Sequence, residues 1–206
     1  MNFPTAPCVS PAARVLPVEF ETGPTASSGA HDEAARRVLA AAVEILAQGE
    51  DLLAALSAEN YTHRVPVVFN ACIGGHYRHC LDHFTSLLLG LDADEVDYDH
   101  RKRDPRIESD PAFALELTAQ MRRTLEQLPP ETLDVSVRAR CEVSYAHGDA
   151  PVTRSTLARE LTYCIAHAIH HYALIAVMAR LLELKLPEHF GVAPSTVVHQ
   201  KNLNPG

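Results

Sequence analysis

Positive charge is scarce in this chain: 18 Lys and Arg stand against 26 Asp and Glu, giving a formal charge of −8 and a pI near 5.8. A phosphate backbone or an anionic bilayer needs a concentrated cationic surface, so nucleic acid and membrane are excluded as main partners and a small-molecule substrate is expected. Long apolar runs are missing too. None approaches the roughly 18 residues that span a bilayer, and MNFPTAPCVS has neither the basic start nor the apolar centre of a secretory signal. The expectation is a cytoplasmic protein. Cysteine is sparse: Cys8, Cys72, Cys80, Cys141 and Cys164 are odd in number and follow no CxxC spacing. That pattern supports neither a disulfide framework nor a four-cysteine zinc site, and reduced, core-packed thiols are expected.

What is present describes one folded domain with tails, since 206 residues at 47% apolar and 21% charged suffice for a single core. Residues 1–30 carry Pro4, Pro7, Pro11, Pro17 and Pro24 and read as an extended arm, with VLPVEF able to lie against the body. Apolar residues then recur at three and four, predicting helices over 31–57, 72–89, 111–128 and 155–184. Gly90 is expected to cap the second, Asp110 and Pro111 to start the third, and Pro187 to follow the fourth. The charged segment 91–109 reads as a long loop, and VSVRARCEVSYAHGDAPVTRS alternates as a β-hairpin does. The resulting expectation is an all-α fold, a four-helix bundle over 31–185 with a small β-hairpin between helices three and four, and a coil tail over 186–206.

Histidine is the unusual residue, 12 in all, and six of them crowd into two segments. In ELTYCIAHAIHHYALIAV, His167 and His171 are four apart, so on a helix they lie about 40° from each other on adjacent turns. That spacing pre-aligns two imidazoles for one metal ion. His170 points elsewhere and is expected beside the site or in the core. A third ligand has to come from a facing helix, and in GGHYRHCLDHF the residues His76, His79 and His83 share a face within about 60°. Three imidazoles with an open position suit a catalytic centre; closure by a fourth ligand such as Cys164 would suit a structural one. HExxH is absent because Ala168 fills the glutamate position, and the ExxH repeats of di-iron bundles are absent as well. Bis-histidine haem ligation is a weaker alternative. A non-catalytic, metal-stabilised homodimer pairing through the Ala- and Leu-rich first helix is the reading from another functional class.

The segments IGGHYRHCLDHF and HAIHHYALIA, in that order on the second and fourth helices, resemble the DinB-like superfamily of metal-binding four-helix bundles. The resemblance implies one ligand on the second helix and the HxxxH pair on the last. Aligning the family's glycine with Gly74 carries these roles to His79, His167 and His171, with His76 and His83 as alternates to His79. It further implies a divalent metal ion, zinc or nickel, serving a metal-dependent hydrolase or a transferase that uses a low-molecular-weight thiol. The loop VDYDHRKRDPR is similar to that of a subgroup of such proteins, or is simply solvated. Asp82, Tyr98 and Asp99 are candidate bases, and Arg101 and Arg103 candidate holders of an anionic substrate group.

Overall fold

The computed structural model describes residues 28–145 and 148–203. The arm expected over 1–30, VLPVEF included, lies outside them up to residue 27, and residues 28–30 are already helical. Four helices are long: α1 (Ser28–Ala55), α3 (Ile73–Gly90), α5 (Pro111–Gln127) and α6 (Leu157–Leu181). Short α2 (Ala58–Thr62) and α4 (Pro105–Ser109) and the C-terminal α7 (Pro194–Leu203) complete the seven helices among the described residues. Helix α1 packs on α5 and α6, and α3 packs on α6 and α5, so the long helices close a ring around one core. Tyr77 of α3 and Tyr172 of α6 stack at its centre, ring centroids 6.1 Å apart. Fully buried, they satisfy their hydroxyls on Thr118 (2.9 Å) and the Ile45 carbonyl (3.2 Å), as buried polar groups must.

Helix starts follow local chemistry. The Asp110 carboxylate accepts from the backbone N–H groups of Ala112 and Phe113, at 3.0 and 3.1 Å, ahead of Pro111. Removing that cap by Asp110→Ala should cost about 1 kcal/mol, read as a lower urea midpoint at unchanged slope. At the start of α3 the cap is a thiol: Cys72 Sγ accepts from the Gly75 N–H at 3.3 Å. Cys72, Cys80 and Cys164 are buried free thiols and Cys141 is half-buried, while Cys8 lies outside the described residues.

Several expectations need correction. The fold is mostly helical but carries a three-stranded mixed sheet rather than a hairpin alone. β2 (Ser136–Arg140) and β3 (Val152–Thr156) form the antiparallel pair, and β1 (Glu95–Asp97) joins β2 in parallel with Glu95 opposite Arg138. The stretch 91–109 is therefore no plain loop; it holds β1 and α4, the latter started by Asp104, whose side chain accepts from Arg106 N–H. The tail holds α7, which buries no residue. Gly90 ends α3 from within, Leu91 being its cap. One helix among the described residues, α6, is long and apolar enough to cross a membrane by length and composition. That overturns the expectation that no segment qualifies; here Leu161, Ala168, Tyr172 and Ile175 of α6 are spent on the protein core.

Candidate metal centre

Helices α3 and α6 lie face to face, and His76, His79 and His83 of the one meet His167 and His171 of the other in the gap. His167 and His171, one turn apart on α6, have ring centroids 4.5 Å apart. His79 of α3 reaches them with centroids at 4.8 and 4.7 Å. One ring nitrogen from each of the three falls within 4.8 Å of the others, and no carboxylate or thiol belongs to this group among the described residues. His83, one turn further along α3, lies 4.0 Å from the ring of His167 and stacks on Tyr98 at 5.0 Å. His76, one turn earlier, sets its Nδ1 3.0 Å from Nδ1 of His171. The helical spacing that put three histidines on one face of α3 thus gives each a different neighbour.

All of these rings are held neutral. Burial, reinforced by nearby positive charge, lowers the pKa of His79 and His167 to about 4, of His171 to about 3 and of His83 to about 2. Burial also lowers His76. A neutral imidazole has a lone pair to give, and two atoms here give it to nothing: His167 Nε2 and His83 Nδ1 are buried without a hydrogen-bond partner. Unpartnered buried polar atoms are costly, and a cation is the partner that an orphaned imidazole lone pair suits best. The donor set therefore fits a borderline-soft divalent ion.

The same shifts set a pH dependence. In the unfolded chain these rings take up protons near 6.5, whereas the folded protein keeps them neutral to about 4 or below. Between those values the unfolded state binds more protons, so stability is complete above about 6.5 and is lost as pH falls toward the folded values. The chelator-treated protein should melt several degrees lower at pH 5 than at pH 7, followed by circular dichroism; an unchanged midpoint would contradict the buried, neutral cluster.

The other expected residues are dispersed. Arg101 touches the group, its Nη1 standing 3.2 Å from His79 Nδ1 while its Nε is buried without a partner. Asp82 is buried, but its carboxylate receives Arg78 at 2.9 Å, and Arg78 also binds Glu108 at 3.1 Å. The Tyr98 hydroxyl donates to Glu160 at 2.9 Å, and Asp99 accepts the backbone N–H of Glu142. Arg103 is exposed, and so is His170, which is therefore not core; its ring nevertheless stands edge-on to that of His171 with centroids 5.3 Å apart, beside the centre. Cys164 lies outside the histidine group, its Sγ 3.7 Å from both the Tyr98 hydroxyl and the His83 carbonyl, its thiol pushed up to about 12 by burial.

Two features went unread in the sequence. A cavity of about 310 Å³ opens beside the group, lined by His76, His79 and His171 with Arg64, Arg78 and Glu108. On the other side Tyr163 closes over His83 and His167, both at 5.7 Å, next to the buried Glu160. The HAIHHY spacing signalled the ligands; nothing local signalled Glu108 or Glu160, which arrive on α4 and on the first turn of α6.

A profile described as the DinB superfamily matches residues 31–175. In curated proteins, a segment of FK506-binding protein 5 from Rhizopus delemar is 36% identical over 106 residues, which is 52% of this chain and 28% of that protein. The chain thus spans well under two thirds of that relative. No solved structure matches the chain significantly.

Proposed function

From the fact that this chain belongs to the DinB superfamily, we propose that it is a divalent-metal enzyme centred on His79, His167 and His171, built on the four-helix bundle of residues 31–185. The observation that carries this reading is the convergence of three neutral imidazoles, one with its Nε2 buried and unpartnered. Zinc or nickel suits such ligands. When bound, an ion of this kind supplies Lewis acidity that favours the deprotonated form of water or of a small thiol.

Two observations favour an enzyme over a metal-stabilised bundle. A structural zinc site is closed by a fourth protein ligand, and the thiol expected in that role, Cys164, is engaged with Tyr98 and a backbone carbonyl instead. The cavity against His79 and His171 also leaves room for a ligand. Within the enzyme reading, thiol transfer is favoured over hydrolysis. A hydrolase needs a general base within hydrogen-bond reach, whereas Asp82, Tyr98 and Asp99 are occupied by Arg78, Glu160 and Glu142. The chain's own residues then bind and orient: Arg78 is fixed between two carboxylates as part of the cavity wall, and Tyr98 and Tyr163 exclude water from the far side of the rings.

Elemental analysis of untagged protein tests the site, with near one equivalent of metal expected. Cobalt-substituted protein then tests the chemistry: a small thiol such as 2-mercaptoethanol should raise a sulfur-to-cobalt charge-transfer band. Full cobalt loading with no such band at saturating thiol would refute the transferase reading.

A further inference from the structure

His76 stands one helical turn before His79, and its contact with His171 is between like atoms, Nδ1 to Nδ1 at 3.0 Å, with the rings tilted by 40°. A neutral imidazole carries one N–H and one lone pair, so in this contact one ring donates and the other accepts. His171 spends its Nδ1 on His76. The nitrogen it has left for the group with His79 and His167 is Nε2, and Nε2 is a ligand only while it bears the lone pair. That condition puts the proton of His171 on Nδ1 and makes His76 the acceptor. In the reverse arrangement His171 would carry its proton on Nε2, and the centre would lose a ligand with no change in the position of any ring.

We propose that His76 is not a ligand but a positioning residue, which accepts the Nδ1–H of His171 and thereby holds that ring in its metal-competent tautomer. The role rests on the metal-binding reading above. It parallels the carboxylates and carbonyls that orient ligating histidines elsewhere, with an imidazole lone pair in their place. His76 is half-buried and lines the cavity, so its own remaining N–H at Nε2 is within reach of water. His171 has no other hydrogen-bond partner for Nδ1 among the described residues.

The experiment combines tautomer assignment by nitrogen NMR of ¹⁵N-histidine-labelled, metal-free protein with zinc titration against a chromophoric chelator. In the parent, His171 should be in the Nδ1–H form. His76→Ala should mix its tautomers and weaken zinc binding roughly 10- to 100-fold. His76→Gln, whose Oε1 accepts the same proton, should keep both the tautomer and an affinity near the parent's. A parent His171 protonated on Nε2 would overturn the proposal, as would equal losses in the Ala and Gln variants, which would make His76 a direct ligand. Unchanged zinc affinity in His76→Ala would overturn it as well. If the parent takes up no zinc while the tautomers behave as stated, the hydrogen-bond role is supported and the metal function is what fails.

Discussion

The double substitution His167→Ala with His171→Ala should abolish metal retention, lowering zinc affinity by roughly four orders of magnitude or more. Loss of a group that merely orients a ligand costs about 10- to 100-fold; loss of a ligand costs at least the upper figure, and here two of three go. Dialysis against a chelator followed by elemental analysis reads the outcome, and near-stoichiometric metal surviving in the double variant would remove the site from consideration. Single variants divide the labour on α3. His79→Ala should cost more than His83→Ala, because His79 belongs to the three-ring group while His83 is wedged between His167 and Tyr98. The metal-free double variant should be no less stable than the metal-free parent, since alanine removes the orphaned His167 Nε2. A loss of metal with retained stability is what separates a ligand from a core residue.

Gly74→Ala should lower stability by about 3 kcal/mol, or roughly 6–12 °C in melting temperature for a chain of this size. A methyl group at this position would drive into the backbone carbonyl oxygen of Glu108 and come within 2.8 Å of Cε1 of Tyr61. Neither neighbour can yield easily. The carbonyl belongs to α4, and the Tyr61 ring is fully buried with its hydroxyl donating to the Ile107 carbonyl at 2.6 Å. Helices α2, α3 and α4 therefore meet around a hydrogen atom. Because α3 carries His76, His79 and His83, the displacement should weaken zinc binding too, and the two effects should track each other across Gly74→Ala and Gly74→Ser. A melting temperature within 2 °C of the parent would mean that α4 is not locked against α3 (a shift of about 1 kcal/mol or less).

How much of this was legible depended on whether the signal was local. The four long helices show their apolar recurrence in sequence, and the Asp110–Pro111 start and the β2–β3 alternation are local chemistry. Strand β1 is three residues long and pairs in parallel with a partner some forty positions away, Glu95 against Arg138; a three-residue stretch has no alternation to read, so only tertiary contact defines it. Helix α4 had a readable start in Asp104–Pro105, the same chemistry as Asp110–Pro111, yet its five residues are too few for periodicity. Helix α7 buries nothing and so has no apolar face to betray it. For the site, the HxxxH pair was fixed by helical geometry. The choice among His76, His79 and His83 was not, because residues three, four and seven apart share a face and only the approach of α6 assigns them different neighbours.

The contact of Arg101 with His79 carries one more consequence. Guanidinium groups only donate, so His79 Nδ1 is the acceptor at 3.2 Å and the proton of that ring sits on Nε2. The contact between His76 and His171 can persist when an ion arrives, but this one cannot: the sole electron pair of His79 is already spoken for by another cation. Loading that ring would therefore entail displacing Arg101, whose segment is held to the sheet through the Tyr98 N–H and the Arg140 carbonyl. The positive charge that faces the helical site is thus carried on a segment anchored at the edge of the strands.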